Sequence, residues 1–320
     1  MALGFKRKLL GLDIGSETIK AAEISRGKKG LCVENFAIRK TPGNVVENGV
    51  LKDPDAAAKA VERLFEQNGF KRKEAAISVS GLGVMVKHIQ APAMSEEDIF
   101  EAVAFESDQY LPCRMDDVHL DVHVLGKDPE NPDLTHALLV AARKDFIQKY
   151  IDAARKAGLE PRVVDVDAFA LQNLFEDVCG AQPECVAMLD IGASKTSINI
   201  IKEGRSCFMT HILSGCGALL EAGGEMTGPG LDEWHSEIRR ALDFFESAHP
   251  GQVVHRVFVS GGGADIDDFR RILSEKDSLE ARRFDPFSRM SVSDEIMEGF
   301  SPGQTASQAC VCLGLAARRS

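Results

Sequence analysis

The chain has 320 residues, of which 44% are hydrophobic and 27% are charged, so it is long enough for about two globular domains. Its net charge of −11 is opposite in sign to that of proteins that neutralise nucleic-acid phosphates, which argues against a nucleic-acid partner. Apolar runs such as Ala137 to Ala142 are too short to cross a bilayer, and the eight cysteines lack zinc-site spacing. We therefore expect a cytoplasmic protein with reduced thiols and no transmembrane span.

The first predicted elements form a β-hairpin. LLGLDIG is typical of a buried strand, and TIKAAEIS, which begins at Thr18, is typical of the strand that returns. Gly15 permits backbone geometry that a Cβ would block, and successive N–H groups in such a turn bind anions. Ser16 and Thr18 add hydroxyl donors, and Asp13 could hold Mg²⁺ through water. The sequence therefore predicts a phosphate-binding loop here.

A third strand, an amphipathic helix and a fourth strand follow. The helix is predicted at roughly Pro54 to Asn68, because Ala57, Val61 and Leu64 recur on one side. ISVSGLG, which ends at Gly83, has the composition of the fourth strand.

About sixty residues, 84–143, then form a predicted inserted subdomain. The capping box that begins at Ser95 starts a helix, and HALLVAARK is a strand. The strand HLDVHVLG alternates and places His119, Asp121 and His123 on one face. These three side chains could ligate a metal, but no fourth ligand is visible, and a solvated face of an edge strand is the preferred interpretation.

A second hairpin, VAMLDIGASKTSINII, repeats the pattern of the first. Asp190 ends its first strand and could again hold Mg²⁺ through water. The candidate phosphate-binding residues of this loop are Gly192, Ser194, Lys195 and Thr196. VFVSGGG further on resembles ISVSGLG, and its glycines would let the backbone approach a flat ring or a ribose. These glycines are Gly261, Gly262 and Gly263.

The repeat is longer than the motif. Asp13 lies 67 residues before Ser80, and Asp190 lies 70 residues before Ser260. Each copy places an amphipathic helix before its fourth strand, and in the second copy that helix is predicted at roughly Asp232 to Ala248. We therefore predict two homologous α/β domains, residues 1–180 and 181–320, whose paired loops would bind a triphosphate from both sides.

The paired D-I-G hairpins and the GGG turn resemble the actin, Hsp70 and sugar kinase superfamily. More closely, nearly the whole chain resembles the PilM family of type IV pilus assembly proteins, above all in VKHIQAPAMSEEDIFEAVAFESDQYLP and LLVAARKDFIQKYIDAARKAGLEPRVVDVDAFALQN. The resemblance implies an actin-like fold of two domains with mixed sheets and an ATP-Mg²⁺ site between them. It also places Asp167 at the water-activating position, although a carboxylate before a helix is more often an N-cap.

The same resemblance implies a partner. In PilM-like proteins, the inserted subdomain and the first domain form a groove for a short extended cytoplasmic segment of PilN, an inner-membrane protein with one span. The chain would then be a cytoplasmic adaptor of the pilus assembly platform, held at the inner membrane through its partner, in the apparatus of twitching motility. An exposed edge strand suits the addition of such a segment.

Two departures from the family pattern change the expectation. Ser214 to Gly230 is short where the superfamily has a second inserted subdomain that encloses the adenine, and Lys195 replaces a small hydroxyl residue. Lysine can itself meet a phosphate as a point charge. We expect weak nucleotide binding and very slow or absent ATP turnover. The alternatives are a type II secretion scaffold that uses no nucleotide, a degenerate small-molecule kinase, and a filament-forming protein.

Overall fold

The computed structural model describes residues 8–27, 30–47, 49–128, 130–219, 228–292, 296 and 302–318. The strands are β1 (Leu10–Ile14), β2 (Thr18–Gly27), β3 (Gly30–Lys40), β4 (Val46–Glu47), β5 (Val50–Leu51), β6 (Glu74–Val79), β7 (Val84–Pro92), β8 (Val118–Lys127), β9 (Leu134–Arg143), β10 (Glu160–Val166), β11 (Val186–Ile191), β12 (Thr196–Lys202), β13 (Arg205–Ile212), β14 (Arg256–Ser260), β15 (Glu280–Arg283) and β16 (Ser291–Val292). The helices are α1 (Pro54–Asn68), α2 (Glu96–Phe105), α3 (Ser107–Tyr110), α4 (Lys144–Lys156), α5 (Asp167–Cys179), α6 (Cys216–Leu219), α7 (Gly228–Ala248), α8 (Asp267–Asp277), α9 (Pro302–Gln308) and α10 (Cys310–Ala317).

Two mixed sheets repeat one arrangement. The first has the order β10-β6-β1-β2-β3-β16, and the second has the order β13-β12-β11-β14-β15. In each, an antiparallel hairpin (β1-β2, β11-β12) continues into a third antiparallel strand, while the fourth strand of the repeat runs parallel to the first. The predicted repeat of four strands is confirmed.

Helix α1 has the bounds that its sequence predicts, because local signals fix both ends. The Asp53 side chain accepts hydrogen bonds from the N–H groups of Asp55 and Ala56, and Pro54 occupies the first turn. Gly69 ends the helix in the left-handed conformation at φ 63°. The corresponding helix α7 begins at Gly228, four residues before the predicted start.

The end of the chain packs back on the first sheet. Strand β16 pairs in parallel with β3, and α10 packs against α5 and β1. A Cβ at Gly11 would collide with the α10 backbone, and one at Gly314 would collide with the α5 backbone at Ala170, so both contacts need glycine. The predicted second unit, 181–320, therefore contributes a strand and a helix to the first half.

The inserted segment forms a sheet of its own with the order β7-β9-β8, which is antiparallel throughout. Helix α2 packs on one face, where Ile99 and Val103 are buried with Val122. The predicted capping box is present, since Ser95 and Asp98 bond each other's backbone N–H groups. His119, Asp121 and His123 are exposed, as the alternation predicts.

The segment that would carry a second insertion is short. Strand β13 ends at Ile212, α6 covers Cys216–Leu219, and α7 begins at Gly228. Of the predicted segment 214–230, residues 220–227 lie outside the described part of the chain.

Candidate functional site

The two hairpin turns close in the same way. The Gly15 N–H donates to the Thr18 carbonyl oxygen at 3.0 Å, and the Gly192 N–H donates to that of Lys195 at 2.9 Å. The glycines lie at matched positions of the β1-β2 and β11-β12 hairpins. The sequence repeat therefore produces two equivalent loops.

Neighbouring segments bind the carbonyl groups of both loops. Thr41 donates its N–H to the Glu17 oxygen and its hydroxyl to the Gly15 oxygen, each at 2.8 Å. In the second loop, Cys216 and Gly217 donate their N–H groups to the oxygens of Gly192 and Ala193, both at 2.9 Å.

Each loop leaves amide groups available for an anion. Within the described residues, the N–H groups of Ser16, Glu17, Ala193 and Ser194 have no hydrogen-bond acceptor, and all four residues line one cavity. Successive free N–H groups of this kind bind phosphate oxygens. The two loops therefore fit the phosphates of a nucleotide.

That cavity has a volume of about 380 Å³ and lies between the two halves. It brings together most of the predicted site: Asp13, Gly15, Ser16, Thr18, Asp167, Asp190, Gly192, Ser194, Lys195, Gly261 and Gly262. Residues that the sequence did not single out also line it, among them Lys20, Ser80 and Tyr150.

Two predicted residues do not line the cavity. Thr196 is fully buried, and its hydroxyl donates to the Ser214 carbonyl and accepts from the Trp234 indole N–H at 2.9 Å. A Cβ at Gly263 would collide with the Ile191 side chain. Both residues hold the surrounding backbone in place.

Asp13 forms an ion pair within the first half. Its Oδ2 lies 2.8 Å from Lys20 Nζ, and both side chains are about 12% exposed. The two residues face each other directly in the β1-β2 register. Burial lowers the pKa of Lys20, but the Asp13 carboxylate more than offsets this, so that the pKa rises.

Asp167 forms an ion pair that crosses the cavity. It begins α5 on the first half, and its Oδ2 lies 3.0 Å from Lys195 Nζ on the second-half loop. The same ammonium group contacts the Ser80 hydroxyl. Burial raises the pKa of Asp167, but the Lys195 charge and the nearby hydroxyl groups of Ser80 and Ser78 outweigh it and lower the pKa. A carboxyl group with a lowered pKa is a poor proton acceptor.

Asp190, the third aspartate of the cavity, is bonded to no lysine among the residues that the structure describes. Its Oδ1 accepts a hydrogen bond from the Ser260 hydroxyl at 3.0 Å. Burial and the nearby Asp167 charge raise its pKa, in spite of the lysines. Asp190 thus resists ionisation more than Asp167 does.

The cavity fits phosphate better than it fits Mg²⁺. No set of three or more His, Cys, Asp or Glu side chains is arranged to hold a metal within the described residues. Of the two predicted Mg²⁺ carboxylates, Asp13 is paired with an ammonium group and Asp190 is the one with a raised pKa. A metal would therefore compete with Lys20 for the Asp13 oxygens, and at Asp190 it would meet a buried carboxyl group that resists ionisation.

A second concave site lies between the inserted sheet and the rest of the molecule. This groove has a volume of about 700 Å³. Its apolar lining comes from β9, α4, β10 and α5, namely Leu138, Val140, Ala142, Ile147, Ile151, Val164 and Phe169. At one point Arg318 donates to Asp165 at 2.5 Å, which fixes the last described residue beside β10.

Strand β8 lies along this groove and pairs only with β9 among the described strands. Two of its N–H groups are bonded to carboxylates instead of a strand: Val122 to Asp121 at 3.0 Å, and Val124 to Glu96 at 2.9 Å. Charged side chains on an edge strand are a common protection against unwanted pairing.

Comparison with solved structures defines the class of the fold. A PilM-PilN type IV pilus biogenesis complex is similar with a TM-score of 0.85 and 24% identity, over 97% of this chain and 98% of that chain. MreB5 of Spiroplasma citri bound to ADP is similar with a TM-score of 0.50 and 12% identity, over 96% and 94%. The protein has the actin-like ATPase fold, as predicted.

The family is shown by a direct match. The family model described as type IV pilus assembly protein PilM matches residues 11–221 and 224–320. The chain therefore belongs to the PilM family of type IV pilus assembly proteins. Among the described residues, no helix is both long and apolar enough to span a membrane.

Proposed function

We propose that this protein is a cytoplasmic adaptor of the pilus assembly platform that binds an extended cytoplasmic segment of a PilN-like membrane protein. The similar PilM-PilN complex supports the class of partner. The observation that carries the proposal is the groove, in which the open edge of β8 lies beside an apolar lining. Through such a partner, the protein would be held at the inner membrane.

An extended segment satisfies both features of the groove. Its backbone would pair with β8 and replace the Asp121 and Glu96 carboxylates on the Val122 and Val124 N–H groups. Because side chains alternate along a strand, every second side chain would turn toward the apolar lining formed by Val140 and its neighbours.

We expect charged residues to contribute less to the affinity for the segment than the apolar contacts do. The exposed acidic residues of α2 include Glu97 and Glu101, and Glu96 lies at the groove itself. Cytoplasmic flanks of single spans tend to be basic, so the end of the segment nearest the membrane would approach these acids. Rim charges of this kind affect the association rate and its salt dependence more than affinity.

The cleft between the two hairpin loops is the proposed site for ATP. The free N–H groups of both loops support the binding of phosphates, and Lys20 and Lys195 add positive charge. A ligand that binds only the native state raises stability by about 2.7 kcal/mol at a hundredfold excess over Kd. A rise in melting temperature at millimolar ATP tests this part of the proposal, and no rise would contradict it.

The adaptor function is tested with a synthetic peptide of the PilN-like cytoplasmic segment. Phe169 is half-buried on α5 in the groove, whereas Phe244 is 63% exposed on α7 and lies outside it. Phe169→Ala should weaken peptide binding by about tenfold or more, because it removes apolar contact area. Phe244→Ala is the matched control and should leave the affinity unchanged.

The pairing with β8 has its own test. Two peptides are compared that carry N-methyl groups on alternate residues in opposite registers. Only one register places the methylated amides toward β8, so one peptide should lose binding and the other should retain it. Equal affinity for both peptides, or a Phe169→Ala variant that binds as the unchanged protein does, would contradict the proposal.

A further inference from the structure

We propose that Lys195 is a built-in counter-ion, so that the cleft binds the phosphates of a nucleotide without a divalent metal. The inference rests on the proposed nucleotide site and specifies which charge neutralises its ligand. Lys195 would supply the positive charge for which the sequence predicts Mg²⁺ on Asp13 and Asp190.

Lys195 lies beside the free amide groups of the second loop. Its backbone closes the second loop through the Gly192 N–H at 2.9 Å, next to the free N–H groups of Ala193 and Ser194. Its ammonium group lies 3.0 Å from Asp167, and its side chain is only about 13% exposed. A phosphate bound to the loop amides would therefore lie beside a fixed, partly desolvated cation.

The hydrogen bonds that the Lys195 ammonium group already makes leave room for a phosphate. Lysine has three donors. Among the described residues, Lys195 Nζ bonds Asp167 and Ser80, which leaves one donor for a phosphate oxygen. Lys195 can thus hold the ligand without releasing Asp167, and the two halves stay joined across the cleft.

Each of the three aspartates in the cleft already has a hydrogen-bond partner. Asp13 is bonded to Lys20 at 2.8 Å, Asp167 to Lys195, and Asp190 to the Ser260 hydroxyl. Mg²⁺ prefers one or two free carboxylates and retains its water. Here it would have to displace a lysine from Asp13 or Asp167, or bind Asp190, and in each case it would remain close to the Lys20 and Lys195 charges, which repel it.

The experiment measures ATP affinity by calorimetry with the full-length protein, once in EDTA and once in excess MgCl₂. We expect the unchanged protein to bind ATP with Kd values that agree within about twofold, since a lysine replaces the metal charge. Lys195→Thr should weaken binding in EDTA by about tenfold or more, the usual size of a lost hydrogen bond to a charged group. The matched control is Lys202→Thr, a lysine at the far end of β12, the strand that follows Lys195, and outside the cleft, which should leave both values unchanged.

A second variant distinguishes a loss of ATP binding from a loss of folding. Lys195→Thr leaves Asp167 without its cation, whereas the double change Lys195→Thr, Asp167→Asn removes both charges. The double variant should also bind ATP weakly in EDTA, and added MgCl₂ should restore part of the affinity, because the competing ammonium group is gone.

The outcomes separate this inference from the site on which it rests. Binding by the unchanged protein only with MgCl₂ would overturn the counter-ion role and leave the nucleotide site intact. Equal affinity of Lys195→Thr and the unchanged protein in EDTA would also overturn it. No binding in either condition would contradict the nucleotide site, and the inference with it.

Discussion

The cleft and the groove differ in origin, and the difference separates their roles. The cleft is formed by elements that occur in both halves, is lined by three aspartates and two lysines, and holds ion pairs that are 12–13% exposed. The groove borders the inserted sheet of the first half, and its lining combines the apolar side chains of β9, α4, β10 and α5 with polar ones such as His119, Asp121 and Glu176. A duplicated fold can thus keep an anion site while one insertion adds a surface for a partner.

The largest expected effect is the loss of partner binding when residues 84–143 are removed. The two ends are adjacent, since the Arg143 N–H donates to the Gly83 carbonyl oxygen at 3.0 Å, so Gly83 and Lys144 can be joined. We expect binding of the PilN-like peptide to disappear, because both β8 and the β9 wall of the groove are lost. Calorimetry with the peptide measures the effect.

The same deletion variant tests whether the two sites are independent. Circular dichroism serves as the control for folding, and the response of the melting temperature to ATP should persist, because no predicted phosphate-binding residue is removed. A folded deletion variant that binds the peptide with unchanged affinity would place the partner elsewhere.

A second prediction concerns the ion pair that joins the halves. Asp167→Ala leaves the Lys195 ammonium group buried without its carboxylate, which should lower the free energy of unfolding by about 3–5 kcal/mol. Lys195→Met in the same chain should restore most of that loss, since the unpaired charge is removed. Urea denaturation measures both values. If the single variant is as stable as the unchanged protein, the pair across the cleft does not form.

A third prediction compares two carboxyl groups of the cleft. Asp167 has a lowered pKa in the folded state, so its contribution to stability is present above the unfolded pKa of about 3.9 and is lost as the pH falls through the folded pKa. Asp190 has a raised pKa, so its ionisation reduces stability as the pH rises through the folded value. At pH 7, Asp167→Asn should therefore lower the urea midpoint and Asp190→Asn should raise it.

This pair of variants is matched, because each exchanges one carboxyl group for an amide of the same shape. Asn at position 190 still accepts the Ser260 hydrogen bond through its Oδ1. The difference between the two midpoints should shrink below about pH 4, where carboxyl groups with ordinary pKa values become protonated. Shifts of the same sign at pH 7 would contradict the charge assignment of the cleft.

The smallest expected effect is on ATP hydrolysis. Asp167 lies where the family resemblance places the residue that activates water, yet its carboxylate is bonded to Lys195 and its pKa is lowered. We expect turnover far below about 1 s⁻¹, the lower end of the ordinary enzyme range. Turnover at or above that rate, lost in Asp167→Asn, would indicate an ATPase instead of an adaptor.

Local signals made much of the fold predictable. Nearby residues define both ends of α1, namely Asp53 and Pro54 at its start and Gly69 at its end. The two loops are recognisable because the D-I-G motif occurs twice in the sequence. The pairing of Asp13 with Lys20 was missed, although a hairpin turn of this length places the two residues opposite each other. That cross-strand pair is a signal that the sequence does contain.

The non-local features could not be predicted in the same way. The ion pair of Lys195 with Asp167 spans 28 residues, and the pairing of β16 with β3 joins segments about 260 residues apart. Each depends on how the two sheets pack, which no local pattern specifies. The burial of Thr196 has the same origin, since the Trp234 indole that covers it comes from α7.

Binding of the partner segment along β8 is tested most directly by hydrogen exchange of the β8 backbone amides with and without the PilN-like peptide. The Val122 and Val124 N–H groups are now bonded to side-chain carboxylates, which are weaker protection than a paired strand. We predict that saturating peptide slows exchange at these two amides, while the loop amides of Ser16 and Ala193 are unaffected. Slower exchange elsewhere with no change in β8 would contradict it.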